Sequence, residues 1–154
     1  MTFFTNGFVT LKTPEGFDAI PNKGDFVELA LVNSSMPMNI KFSISPTVMG
    51  LPDIKNLMEK QLKSNPEIDV QISDFLAINE DIYYMLVSSI NTDEIQIRRN
   101  EFMFVKDNNL YSYEFTYPYA DAELDDFYLN IIRSMEIKKA KYILTDDGYK
   151  INED

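Results

Sequence analysis

Neither cysteine nor histidine occurs anywhere in the 154 residues. The missing cysteine removes disulfides, thiolate nucleophiles, iron–sulfur ligation and zinc sites built on sulfur. The missing histidine removes the usual general base and the commonest metal ligand, so Ser-His-Asp and Cys-His catalysis are both excluded. Glycine is scarce as well. The five glycines are scattered and form no phosphate-cradling loop.

No apolar run approaches the roughly 18 residues of a membrane-spanning helix. Met1-Thr2-Phe3-Phe4 has no basic, leader-like start. These features give the expectation of a cytoplasmic protein without a membrane span. A periplasmic or envelope protein that has lost its leader is the alternative. Positive charge is short too. Fourteen Lys and Arg stand against 25 Asp and Glu, for a net charge of −11 and a pI near 4.4. That balance argues against nucleic acid, whose binders neutralise phosphates with Lys and Arg. It also argues against anionic membrane surfaces. It favours a basic partner or simple solubility.

What the chain does have is enough apolar matter for a core. It is 45% hydrophobic and 13% aromatic, so a chain of this length folds without metal or disulfide. Strands are expected over Gly7–Thr13, closed by Pro14-Glu15-Gly16, and over Phe26–Val32. A third follows where Ile40, Phe42 and Ile44 alternate with Lys41, Ser43 and Ser45. Leu51–Lys63 reads as a helix, with Pro52 and Asp53 in its first turn and an apolar stripe of Ile54, Leu57, Met58 and Leu62. Four strands come next: Ile68–Ile78, Ile82–Ile90, Glu94–Lys106 and Leu110–Tyr117. Their short polar connections force antiparallel neighbours. Ala120–Met135 is a second helix, its face made by Leu124, Phe127, Tyr128, Ile131, Ile132 and Met135. In the tail, Tyr142–Ile151, Asp146-Asp147-Gly148 can turn a small hairpin. The fold class is therefore α+β, a mostly antiparallel six- to seven-stranded sheet flanked by two helices.

Several strands are apolar on both parities, among them Ile82-Tyr83-Tyr84-Met85-Leu86-Val87, and such strands are usually buried on both faces. Two helices, each about 10–12 Å wide, leave part of so broad a sheet uncovered. Loops and the tail can cover the remainder, or part of one face is a docking surface. A two-residue turn at Asp107-Asn108 pairs Phe104 with Tyr111 and Phe102 with Tyr113, a ladder expected to face the core and a helix. The opposite face then carries Arg99, Glu101, Met103, Val105, Ser112, Glu114 and Thr116. Of these, Arg99, Glu101, Met103, Ser112 and Glu114 are the candidate partner-binding residues. The same register sets Glu101 against Glu114, a mild repulsion.

Other patterns carry less. Asp121, Glu123, Asp125 and Asp126 crowd a helix start, but the sixth position lacks the glycine of a calcium loop. A charged first turn is the better reading. No spacing singles out a catalytic carboxylate pair among the acidic residues. Tyr111, Tyr113 and Tyr117 read as core rather than as base-stacking residues. Asn33-Ser34-Ser35 is a glycosylation sequon with meaning only in a secreted protein. No catalytic residue, cofactor or metal is expected.

Element order and pattern resemble the PsbP-like fold and, within it, the DcrB-like bacterial family. The resemblance rests on VTLKTPEGF (Val9 to Phe17), MNIKFSIS (Met38 to Ser45) and LPDIKNLMEKQLKS (Leu51 to Ser64). It continues through IQIRRNEFMFVKDNNLYSYEFTYP (Ile95 to Pro118) and ADAELDDFYLNIIRSMEI (Ala120 to Ile137). It implies one domain over residues 1–139, with 140–154 as a C-terminal extension. It also implies a non-catalytic protein. Members include photosystem subunits, small-GTPase binders, envelope lipoproteins and cytoplasmic chaperones of type VI secretion effectors, which shelter apolar helices on an open sheet, usually as dimers. The expectation is a protein-binding chaperone or adaptor, with a homodimer as one form. The alternatives are an acidic immunity-type inhibitor of a basic toxin and a trimmed envelope lipoprotein.

Overall fold

The computed structural model describes residues 2–21, 24–33, 35, 38–94, 96–118 and 125–154. In chain order the elements are β1 (Thr2–Thr5), β2 (Val9–Thr13), β3 (Phe17–Ala19), β4 (Val27–Asn33), β5 (Asn39–Pro46) and α1 (Leu51–Lys63). Then come β6 (Ile68–Ile78), β7 (Asp81–Asn91), β8 (Gln96–Lys106), β9 (Asn109–Pro118) and α2 (Asp125–Arg133). The chain closes with β10 (Glu136–Ile137), β11 (Tyr142–Thr145) and β12 (Gly148–Ile151).

The polar connections do what their chemistry requires. Asn79-Glu80 and Asp107-Asn108 each hold two residues at positive φ, the geometry that matches the twist of a two-residue hairpin. They make β6–β7 and β8–β9 tight antiparallel hairpins. The main sheet has seven strands in the order β3-β4-β5-β9-β8-β7-β6, every pairing antiparallel. This is the expected α+β architecture.

One face of this sheet carries the main core. Phe42, Tyr113 and Phe102 lie on it, as do Ile40 and Phe115, and Tyr111, Phe104 and Tyr83. Tyr128, Ile131 and Ile132 of α2 cover it, the Tyr128 ring 4.3 Å from that of Phe115. The Phe102–Tyr113 and Phe104–Tyr111 pairs fall in the expected register, facing the core. The opposite face carries a second core of Tyr84, Leu86 and Met103 under Ile54 of α1, with Met58 and Leu62 half-buried beside it. The doubly apolar strand β7 is thus buried on both sides, as its sequence demands.

Four expectations need correction. The strand after Gly7 is not in the main sheet. As β2 it joins β1 and β10 in a separate three-stranded sheet, and Val9 and Leu11 roof the α2-side core. This sheet does the covering expected of loops. Leu57 is 43% exposed rather than part of the buried stripe of α1. The third of the four central strands begins at Gln96, not Glu94, and Ile95 lies outside the described residues. The second helix ends at Arg133, because residues 136–137 leave it to pair with β2. Its expected start, Ala120–Leu124, with Asp121 and Glu123, lies outside the described residues, as does Ser34 of the sequon.

The tail forms the β11–β12 hairpin through Asp146-Asp147, with Gly148 at φ 128°. Asn109, fully buried, anchors it. The Asn109 Oδ1 accepts the Tyr142 backbone N–H at 2.9 Å, and the Asn109 Nδ2 donates to the Tyr142 carbonyl at 3.0 Å.

Candidate protein-binding face

Strand alternation decides which side chains share the α1-side face. Across the sheet one row runs Lys41 (β5), Glu114 (β9), Glu101 (β8) and Leu86 (β7). The next runs Asn39, Thr116, Arg99 and Ser88, and another runs Ser43, Ser112, Met103 and Tyr84. The five candidate residues therefore share one face, but α1 divides it. Met103 is only 4% exposed, packed under α1 with Ile54 and Leu86. It is a core residue, and its assignment as a contact is corrected. Arg99, Glu101, Ser112 and Glu114 are half-buried at the margin of α1. Beyond them the face is open and polar, with Lys41 and Asn39 exposed.

Where α1 meets the sheet, a cleft of about 220 Å³ is lined by Met58 and Leu62 from the helix and by Ser88, Ile97, Arg99 and Glu101 from the strands. Arg99 Nε lies 3.4 Å from Glu114 Oε1 but is buried without a well-aligned hydrogen bond. Glu101 stands directly across from Glu114. Burial raises the Glu101 carboxyl to about 7, the Glu114 charge adds to the rise, and Arg99 pulls it back down. The cleft therefore holds an acid that changes charge near neutrality beside an incompletely satisfied cation.

A second polar group sits on the α2 side. Asn100 Nδ2 donates to Tyr117 Oη at 3.1 Å, while Tyr128 Oη and Arg98 Nε are buried without a well-aligned hydrogen bond among the described residues. Burial pushes the Tyr128 phenol well above its ordinary value. Strand alternation sends the adjacent arginines Arg98 and Arg99 to opposite faces of the sheet.

Among the described residues, no group of three or more Asp, Glu, Cys or His could hold a metal ion. No described helix is long and apolar enough to cross a membrane.

No protein-family profile matches the chain, and no curated protein matches its sequence. Its likeness is to solved structures. The solution structure of cyanobacterial PsbP from Synechocystis superposes with a TM-score of 0.67 at 10% identity, over 88% of this chain and 91% of the other. LpqN of Mycobacterium tuberculosis, involved in cell envelope biogenesis, gives 0.56 at 10% identity over 85% and 83%. A protein of unknown function from Pseudomonas aeruginosa, PA94, gives 0.52 at 12% over 87% and 94%. At these identities the likeness establishes the fold, and the chain has the PsbP-like fold.

Proposed function

We propose that the protein is a non-catalytic protein-binding domain, a chaperone or adaptor for a secreted effector, working in the cytoplasm. It docks its partner on the part of the α1-side face that the helix leaves open. Arg99, Glu101, Ser112 and Glu114 form the contact, and Lys41 extends it. The observation that carries this reading is the half-covered sheet. One face is sealed by α2 and the small sheet, while the other pairs a cleft of mixed apolar and charged lining with an open polar field. Such a surface can hold an apolar helix at the cleft and orient its polar flank on the Arg99–Glu114 pair. The absence of histidine and cysteine supports a role without catalysis.

The test is capture of partners from the native host at low and high salt, followed by hydrogen exchange on the complex. A partner with an apolar helical segment, retained at high salt and protecting β5 and β9, supports the reading. Its loss in Ser112→Arg places the contact. A partner bound elsewhere, or unaffected by Ser112→Arg, refutes the face assignment.

The charge of −11 favours a second reading, an acidic inhibitor of a basic toxin. A complex steered by charge weakens sharply with salt, so the same experiment separates the two.

A further inference from the structure

Among the described residues, strand β6 closes one edge of the main sheet, bonded to β7 on one side only. Edge strands normally resist pairing with other chains by being short, by carrying lysine or proline, or by bulging. The opposite edge, β3, is three residues long. β6 runs 11 residues with neither lysine nor proline. Its bulge, between Val70 and Ile72, leaves Ile72–Ile78 in unbroken register. Alternate N–H and C=O groups along that stretch point away from β7 and can template another strand.

The two sides of this edge differ in chemistry. On the α1 side, a cleft of about 560 Å³ opens at one end, lined by Leu51, Pro52, Phe75, Ile82 and Val105. A second, of about 270 Å³, opens at the other end against Leu62, Pro66, Ile68 and Val70, with Glu59 and Lys63 at its rim. Phe75 and Val70 are each 40% exposed. On the other side, Asp69 and Asp74 are exposed with Ile72 between them, and β6 itself carries no cation.

We propose that β6 accepts an extended segment of another protein in which apolar side chains alternate with lysine or arginine, bound as an eighth strand. Along Ile72–Ile78, period-2 alternation sends the apolar side chains toward the Phe75 cleft and the cations toward Asp74, while Asp69 and the Val70 cleft lie beyond the bulge. A second copy of this chain is the poorer occupant, because β6 paired with itself sets acidic edges together with no opposing cation. This surface lies across α1 from the open β5–β9 region and does not depend on the reading given above.

The probe is a short blocked peptide alternating valine and lysine, with a valine–glutamate peptide as its counterpart, followed by amide shifts of the full-length protein. Saturable shifts over Ile72–Ile78 with the lysine peptide, and none with the glutamate peptide, are expected. Asp69→Lys with Asp74→Lys should reverse the preference, weakening the lysine peptide by about tenfold or more. Ser112→Arg should leave it unchanged. If the double variant does not fold, Asp74→Asn alone should weaken the lysine peptide. No binding, shifts scattered over the acidic surface, preference unaltered by these variants, or a concentration-dependent dimer through β6 would each overturn the proposal.

Discussion

Glu101 and Glu114 face each other across the β8–β9 pairing, and Arg99 Nε, 3.4 Å from Glu114, gives its charge mainly to one of them. Glu101 is left half-buried beside the cleft under α1, with a carboxyl raised to about 7.

That arrangement sets a pH dependence. The folded state holds the Glu101 proton more tightly than the unfolded chain, whose glutamates titrate near their ordinary value. Between about pH 4.5 and 7 the folded state therefore binds more protons, so this group's contribution to stability falls as pH rises through that window. Above about pH 7 the buried charge costs on the order of 2 kcal/mol, allowing for water at the cleft mouth. Glu101→Gln should flatten the slope and raise stability at pH 8 by a similar amount. Urea unfolding from pH 5 to 8 checks it; an unchanged slope would refute the assignment.

Met103 tests the division of the face. If it belongs to the α1 core, Met103→Ala should cost about 2–4 kcal/mol and loosen α1. Hydrogen exchange along Leu51–Lys63 should quicken. A stable variant with α1 unchanged would return Met103 to the open surface.

Asn109 bridges the main sheet and the tail by both amide atoms. Asn109→Ala strands the Tyr142 backbone groups and should cost about 2–3 kcal/mol. It should also free β11–β12 while leaving β6–β9 protected. Proteolysis within residues 140–154 is the readout, and a tail as resistant as the parent's would contradict it.

The Asp107-Asn108 turn sits at φ 51° and 63°. A β-branched residue resists that conformation, so Asn108→Val should lose about 1–2 kcal/mol. Asn108→Gly should lose less, since glycine takes positive φ without strain while both variants give up the Asn108 Nδ2 bond to the Thr47 carbonyl. Thermal melts of the two variants decide the order.

The central hairpins were readable because turn chemistry sets register. Once Asp107-Asn108 is placed, Phe104–Tyr111, Phe102–Tyr113 and the Glu101–Glu114 clash all follow. The small sheet was not readable. β1 and β10 are too short to show a period, and β10 reaches β2 from the far end of the chain. Alternation told which face Met103 occupies but not where α1 would lie. In the same way, hairpin logic named the neighbours of β7 without revealing that β6 would end the sheet.

The strand order also separates contacts by when they can form. β6–β7 and β8–β9 close through two-residue turns, and β7–β8 through a short connection, so this meander forms from local encounters. The β5–β9 seam joins opposite halves of the chain and must wait for a large loop to close. Refolding should therefore begin with the β6–β9 meander and be limited by this seam. Truncating Phe42 in the seam, or Leu76 in the meander that precedes it, should slow refolding more than it speeds unfolding. The two variants' chevron plots would show whether assembly waits on β5.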